Sequence, residues 1–342
     1  MRRIRACGNG EQGAVAVFVA LILVVLLAFA ALAVDAGMLY SERAQVQNGS
    51  DAAALAVAQK CAVSISDPNC SVTPQIAKDL ANKNSIDSRG NINSVNLDLT
   101  NRTVTVSAGS QQAGGGANSV SLVFARALGI NTAEVLTSST VQWGSPLTGT
   151  TPFPLTFSVC QVQGQVGGNP QLLQAHGSGA NPGCNYGPSG AAVEGGFGWT
   201  VQNPGSCGGY IDLALSEGGS APGNSIPTNC AGTLNKWADT INAGKDVIVL
   251  LPVFNAVTGT GSGAIYHLVS FAAFKVIGWK FSGNSSLPDT FRNASPYVSS
   301  ALSCSGNCRG IVGTFVKYVS LADGYTLGPV SAHGATIVRL TK

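Results

Sequence analysis

The chain has 342 residues, and only 10% of them are charged, against roughly 25% in ordinary soluble domains. Its formal net charge of +3 is small and scattered, which argues against a nucleic-acid partner. The length allows one membrane anchor and one or two domains, and a surface wetted by hydroxyl and amide groups rather than charges is common outside the cell.

The first predicted element is a membrane-spanning helix at residues 13–34, where no charged side chain interrupts the apolar sequence. A helix rises ~1.5 Å per residue, so ~20 apolar residues cross a hydrocarbon core of ~30 Å. Arginines precede the span within a basic head at residues 1–12, whereas Asp35 and Glu42 follow it before the next cation. The positive-inside rule therefore predicts a single-pass protein of the cell membrane, with residues 1–12 cytoplasmic and the bulk of the chain extracytoplasmic.

A cleaved secretory signal and prepilin-type processing are the alternatives to a permanent anchor. Ala31-Leu32-Ala33 fits a signal cleavage site, but the apolar run is longer than the ~7–15 residues of a signal peptide. Prepilin-type processing would follow Gly13, yet Phe18 stands where such precursors usually carry a glutamate. The uncleaved anchor is therefore the favoured prediction.

Residues 35–143 are predicted to form a stalk helix and a small α+β unit. The Ala-rich sequence at 36–60 favours a helix that continues from the membrane and ends, at the latest, at Asp67-Pro68. The remaining expected elements are a helix at 73–84, a β-hairpin at 94–108, a helix at 119–130 capped by Gly129, and a strand at 133–143.

The density of Gly and Pro at 144–154 predicts a boundary before a β-rich, disulfide-tied extracytoplasmic domain at 150–342. Long loops are expected at 164–233. Apolar runs rich in β-branched and aromatic residues predict strands at 155–163, 246–254, 266–279, 313–319 and 335–340, with one helix near 234–241. The predicted fold class is thus α+β: a transmembrane helix that continues as a stalk, a small α+β unit and a β-rich domain.

Nine cysteines are distributed unevenly about the predicted span. Cys7 precedes it and should stay reduced in the cytoplasm. The eight cysteines after the span lie on the oxidising, extracytoplasmic side, and their even number predicts four disulfides. The alternative is that some of them are buried free thiols. Eight cysteines allow about a hundred connectivities, so the sequence alone does not fix the pairs. Sequence neighbours suggest Cys61–Cys70, Cys160–Cys184, Cys207–Cys230 and Cys304–Cys308.

No motif for catalysis, a cofactor or a metal emerges from the sequence. There is no G-x-S-x-G elbow, and His176, His267 and His333 lie far apart without metal-binding spacing. Cys304 and Cys308 fit a disulfide better than a metal site, because no second pair lies at metal spacing. We therefore expect neither enzymatic activity nor a cofactor.

Two aromatic stretches, at 195–199 (GGFGW) and 278–281 (GWKF), allow an alternative function. Exposed aromatic rings would suit a sugar, although core packing explains these residues more readily. The alternative to a structural role is therefore an anchored module that binds surface glycan or cell wall.

Residues 11–59 carry a resemblance to the TadE/TadG-like proteins of Flp (tight-adherence, type IVb) pilus assembly. The resemblance rests on a short basic head, the sequence GAVAV opening the apolar run, an Asp-x-Gly at its end and an Ala-rich helix beyond. The matching positions are Gly13 to Val17, Asp35, Gly37, Tyr40, Arg43, Gln47 and Asp51 to Ala56. Gly49 departs from the pattern, since alanine is expected there. Residues 150–342 resemble no family.

The resemblance implies a membrane-anchored structural or assembly protein of a pilus or surface-adherence system, with pilin-like or other pilus-assembly proteins as partners. Pilin-like subunits pack their helices side by side, and small residues permit a close approach. Ala52 and Ala56 share one helix face, with Asp51 at its edge, and would form the packing surface. A plain anchor with a helical neck is the alternative interpretation.

Overall fold

The structure, a computed structural model, describes residues 11–162, 167–176, 198–215, 217–219, 226–259, 263–319 and 324–341. The chain divides into two units, Met1–Gln142 with Leu340–Lys342 and Trp143–Arg339. The predicted fold class is confirmed, because a long N-terminal helix is followed by a small α+β part and by a β-rich part that contains disulfides.

Helices α1 and α2 and a β-hairpin form most of the first unit. In chain order its elements are α1 (Glu11–Val63), α2 (Gln75–Lys83), β1 (Gly90–Asp98), β2 (Thr103–Ser110), β3 (Ser119–Ser121), a 3₁₀ turn (Ala125–Leu128), β4 (Thr132–Glu134) and the first part of β5 (Leu136–Thr150). The hairpin prediction is confirmed, since β1 and β2 are antiparallel with Val95 opposite Val106. Strand β5 pairs antiparallel with β2, placing Val141 opposite Val104.

Helix α1 continues without a break beyond the apolar run, as predicted from its alanines. It ends at Val63, before Asp67-Pro68, where proline cannot continue a helix. The disulfide Cys61–Cys70 ties this end to the following loop.

The helix predicted at 119–130 is wrong. The structure has strand β3 there, followed by the 3₁₀ turn that Gly129 caps with φ +86°. Val120 and Leu122 are buried while Ser121 and Val123 are exposed, so burial alternates with the period of a strand. The Ala-Arg-Ala-Leu sequence that suggested a helix supports only this one short turn.

The strand predicted at 133–143 ends too early, because β5 continues through Gly144 and Pro146 to Thr150. The division between the two units falls after Gln142, next to the boundary predicted at 144–154. The last residues of β5 belong to the second unit, where they pair antiparallel with the short strands β8 (Tyr210–Asp212) and β15 (Tyr325–Gly328).

The second unit is rich in strands. Beyond β5 it contains β6 (Phe157–Ser158), α3 (Val159–Val162), β7 (Gln171–His176), β8 (Tyr210–Asp212), β9 (Glu217–Gly219), α4 (Ala231–Asn242), β10 (Val247–Thr258), β11 (Ile265–Lys280), β12 (Thr290–Phe291), a 3₁₀ turn (Ser300–Leu302), β13 (Arg309–Val316), β14 (Tyr318–Val319), β15 (Tyr325–Gly328) and β16 (Thr336–Leu340). The main sheet has the order β6-β10-β11-β13-β7.

Both faces of the β10–β11 pair are buried. On one face Leu251 and Phe274 pack with Trp237 of α4, and on the other Leu250 and Phe271 pack with Ile337 of β16. Alternate residues of each strand thus serve opposite cores, which explains the continuous apolar sequence of these strands.

Most of the predicted elements of this unit are confirmed, including β10, β11, β13, β16 and α4. The strand predicted at 155–163 is wrong beyond Ser158, since α3 follows, with Val159 and Val162 buried at helical spacing. The loop prediction for 164–233 is wrong where β7, β8 and β9 lie. Strand β7 pairs with β13 through backbone hydrogen bonds, which its Gln- and Leu-containing sequence did not signal.

Candidate functional site: the membrane helix and its docking face

The first part of α1 has the length and apolar composition to cross a membrane. From Val15 to Val34 its side chains are exposed almost throughout, and none of the most apolar stretch is covered by protein. A core helix of a soluble protein would instead be mostly buried. The exposed apolar surface of this segment therefore suits lipid rather than a protein interior.

Asp35, the first charged residue after the apolar run, is a buried capping residue. Its carboxylate accepts hydrogen bonds from the backbone N–H groups of Val123 (2.9 Å), Phe124 (3.1 Å to Oδ2) and Ala125 (2.6 Å). Burial raises the pKa of Asp35, but the three backbone donors lower that pKa by more, so it lies below its ordinary value. The carboxylate thus fixes the start of the 3₁₀ turn beside the end of the apolar run.

About three turns further along α1, apolar side chains take over the packing. Val46 forms a buried cluster with Val120 and Val135, the residues at the base of the β3–β4 hairpin. Met38 and Leu39 pack against the same cluster while remaining partly exposed. The hairpin is therefore held to α1 both at its tip, through Asp35, and at its base.

A polar cluster joins the middle of α1 to β5. Gln47 donates to Asp51 (2.8 Å) and to Ser139 (3.0 Å), and the Ser139 hydroxyl also donates to the Asp51 carboxylate. Ser50 lies 2.7 Å from the Ser139 oxygen and 3.1 Å from that of Thr137. Ser50 and Ser139 are fully buried, so their hydroxyl groups form hydrogen bonds within the cluster instead of with water.

Gly49 and Gly90 let the helices and the sheet approach closely around Ala81 of α2. A methyl group at Gly49 would lie 3.3 Å from the Cα atom of Ala81, and one at Gly90 would lie 2.8 Å from its carbonyl carbon. The glycine that departs from the family pattern at position 49 thus makes room for α2.

The alanines of α1 divide into two sets. Ala53, Ala54 and Ala58 are fully buried, so they form the side of the helix that docks within the unit. Ala52 and Ala56, the predicted packing pair, are only half-buried. Their role in assembly stays a prediction, but their position leaves part of each methyl group accessible.

Gly37, Tyr40 and Arg43 lie on the exposed part of α1, between Asp35 and the polar cluster. Apart from its chain neighbours and the backbone of its own helix turn, no atom of the described residues would lie within 4 Å of a methyl group added at Gly37, and Tyr40 is 79% exposed. Within the described parts of the chain, neither Tyr40 nor Arg43 has a hydrogen bond or an ion pair. These family-matching residues are therefore available to the surroundings of the protein.

Ser50, Thr137 and Ser139 were not predicted from the sequence, and neither were the backbone partners of Asp35. A signal was present in β5, where Thr137 and Ser139 alternate with exposed residues in phase with the buried Val135 and Val141. Hydroxyl groups at inward-facing positions of a strand indicate a polar partner on the covering helix.

Disulfides join Cys61 to Cys70, Cys207 to Cys230, and Cys304 to Cys308. These are three of the four pairings that sequence proximity suggests. Cys160 is also disulfide-bonded, and its suggested partner, Cys184, lies outside the described residues.

Nothing in the described residues forms a cluster of three or more His, Cys, Asp or Glu side chains that could hold a metal ion. His267 lies in β11 opposite Glu217 of β9, in a strand pairing rather than a pocket. The aromatic residues considered for glycan binding are buried where they are described: Trp199, Trp279 and Phe281. Residues 195–197 lie outside the described part of the chain.

Residues 13–60 match the Tad family model, described as Flp pilus-assembly TadE/G-like. The predicted resemblance is thus confirmed for this segment. No curated protein matches the chain, and no solved structure matches it.

Proposed function

We propose that this chain is a membrane-anchored, extracytoplasmic structural component of an Flp/Tad-type pilus-assembly or surface-adherence system. The observation that carries the proposal is the match of residues 13–60 to the family model, which coincides with the apolar span and the docked part of α1. The arginines before the span and Asp35 after it support an orientation with the two units outside the cytoplasm.

The outward side of α1 beyond the span supports a role in helix packing. Ala44, Asn48, Ala52 and Ala56 recur every four residues, and each is exposed or half-buried. Small side chains at this spacing let a neighbouring helix approach closely. The partners we propose are pilin-like or other pilus-assembly proteins with a comparable helix.

The test is a pull-down from membranes of the bacterium that makes the protein, with the anchor intact and the recovered proteins identified by mass spectrometry. Wild type should recover pilin subunits or pilus-assembly proteins. Ala52→Leu combined with Ala56→Leu should lose them, because two larger side chains would hold the partner helix away. Leucine keeps a high helix propensity, so α1 itself should remain intact.

A matched control places two leucines at the same spacing on an exposed side of α4, as Ala231→Leu with Asn235→Leu. The control should recover partners as wild type does. Formation of the Cys61–Cys70 disulfide in both variants shows that the first unit has folded. Equal recovery by the α1 variant would refute packing through this face, and a wild type that recovers no pilus-system protein would refute the assembly function itself.

A further inference from the structure

The loop at residues 122–131, here called the exit loop, exposes more apolar surface than its surroundings explain. Four large apolar side chains are exposed there: Val123 (51%), Phe124 (46%), Leu128 (83%) and Ile130 (55%). The single charged residue of the loop is Arg126, which is also exposed. Large apolar groups clustered in one short loop indicate a surface that something apolar covers.

The exit loop has a defined backbone, built from hydrogen bonds and a left-handed glycine. The backbone N–H of Leu122 donates to the carbonyl of Asn131 (2.9 Å) and closes the loop at its base. Gly129 adopts the left-handed conformation that ends the 3₁₀ turn. Val120, just before the loop, is fully buried against α1.

Asp35 fixes the position of the exit loop relative to the apolar span. It follows directly on the apolar run, and its carboxylate binds the backbone N–H groups of Val123, Phe124 and Ala125. A 3₁₀ turn rises ~2 Å per residue, so Leu128 lies within about 6 Å of Ala125 along the turn. The exposed side chains therefore lie near the level at which α1 leaves the apolar run.

That level is where a bilayer has its interfacial layer, roughly 5–8 Å thick on each side of the hydrocarbon core. Amphipathic segments typically bury their apolar face ~5–10 Å into this region. Tyr40, about 7.5 Å beyond Asp35 along the helix, supplies an exposed aromatic ring of the kind enriched at membrane surfaces. Arg126 supplies a cation for lipid phosphate.

We propose that the exit loop inserts its apolar side chains into the same bilayer that α1 spans, as a second membrane contact. This inference rests on the proposed membrane anchoring. We assign lipid rather than a protein as the group that covers the loop, because hydrogen bonds to Asp35 hold the loop beside the end of the span. The loop and the span together would restrict the tilt and rotation of the first unit on the membrane.

The experiment uses the full chain in lipid nanodiscs, one copy per disc, with Cys7→Ser removing the cysteine before the span. A nitroxide spin label is attached at Leu128→Cys, at Ile22→Cys within the span, or at Leu99→Cys. Leu99 is a matched control, because it is an exposed leucine in the turn between β1 and β2, at the opposite end of β2 from Ser110, which accepts a hydrogen bond from Asn118 just before β3. Collisions of each label with oxygen, which concentrates in lipid, and with a water-soluble nickel chelate are then measured.

We expect the ratio of oxygen to nickel collisions at Leu128 to exceed that at Leu99 by at least about threefold, and to approach that at Ile22. A ratio at Leu128 equal to that at Leu99, with Ile22 in lipid, would overturn the inference and leave the anchor in place. A label at Ile22 that meets water would overturn both. A label at Leu128 shielded from both reagents would show a protein covering the loop and would also overturn it.

Discussion

Ser139→Ala should release α1 from β5. The Ser139 hydroxyl is the shared member of the polar cluster, since it donates to Asp51, accepts from Gln47 and is hydrogen-bonded to the Ser50 hydroxyl. Each of those three groups keeps another partner, so none is left entirely unpaired. A hydrogen bond to a charged group contributes ~1.5–3 kcal/mol and a neutral one ~0.5–1.5 kcal/mol, and bonds in one network do not add. We therefore expect a loss of about 2–3 kcal/mol.

The assay is amide hydrogen exchange of the full chain in detergent, followed by mass spectrometry. A loss of about 2–3 kcal/mol corresponds to an opening equilibrium raised about 30- to 150-fold, and exchange accelerates by the same factor where opening is fast. The acceleration should appear in peptides from residues 46–60 of α1 and 136–142 of β5. Peptides from β10 and β11, which belong to the second unit, should exchange at the wild-type rate.

Ser138→Ala is the matched control, because Ser138 is the exposed neighbour on the same strand. It should change the exchange rate by less than about twofold, because surface substitutions usually change stability by no more than ~0.5 kcal/mol. A double variant, Ser139→Ala with Asp51→Asn, should cost less than the sum of the single variants, since both remove the same bond. If Ser139→Ala exchanges like Ser138→Ala, the polar cluster does not hold the helix.

Four further outcomes are expected. Gly90→Ala should accelerate amide exchange in α2 several-fold to about a hundredfold, since overpacking typically costs ~1–3 kcal/mol. The added methyl group would lie 2.8 Å from the carbonyl carbon of Ala81. Unchanged exchange would contradict this close contact. Burial raises the pKa of Tyr266 to about 12, so the stability that comes from keeping its hydroxyl neutral is present below pH 10 and is lost as the pH rises to about 12. In denaturant unfolding, the wild type should lose about 2 kcal/mol more stability than Tyr266→Phe over that pH range. Equal losses would count against this burial effect. Intact-mass measurement should show that the membrane-extracted protein retains residues 1–34, and a mature N-terminus at Val34 or Ala14 would contradict this. Thiol counting under denaturing, unreduced conditions should find Cys7 as the one free cysteine, and three or more free thiols would contradict that.

Elements with strong local signals were predictable from the sequence. Helix α1 follows from an apolar run that leads into alanines, and the β1–β2 hairpin follows from the alternation that places Val95 and Val106 opposite each other. Cys61 and Cys70 are close in sequence, so their pairing needed little knowledge of the fold. In each case the deciding interaction joins residues that are near one another in the chain.

Elements that depend on remote partners were not predictable. The sequence at 119–130 has two alanines and two leucines, which favour a helix, but the backbone N–H groups of Val123 to Ala125 bind Asp35, almost ninety positions earlier in the chain. Strand β7 exists because β13 offers an edge to pair with. Single-sequence propensity cannot weigh a hydrogen bond whose acceptor lies in another element.

The structure also changes what the family-matching residues are expected to do. Asp35, Gln47 and Asp51 lie at the points where α1 binds the exit loop and β5, so within this chain they hold the anchor to its own first unit. A helix that must stay docked through these residues can offer a partner only its outward side. Under the proposed assembly function, substitutions at Asp51 or Gln47 would therefore act indirectly, by loosening the unit, whereas substitutions at Ala52 and Ala56 would act on the outward side itself. Hydrogen exchange in β5 separates the two cases, because the first set should accelerate it and the second should not.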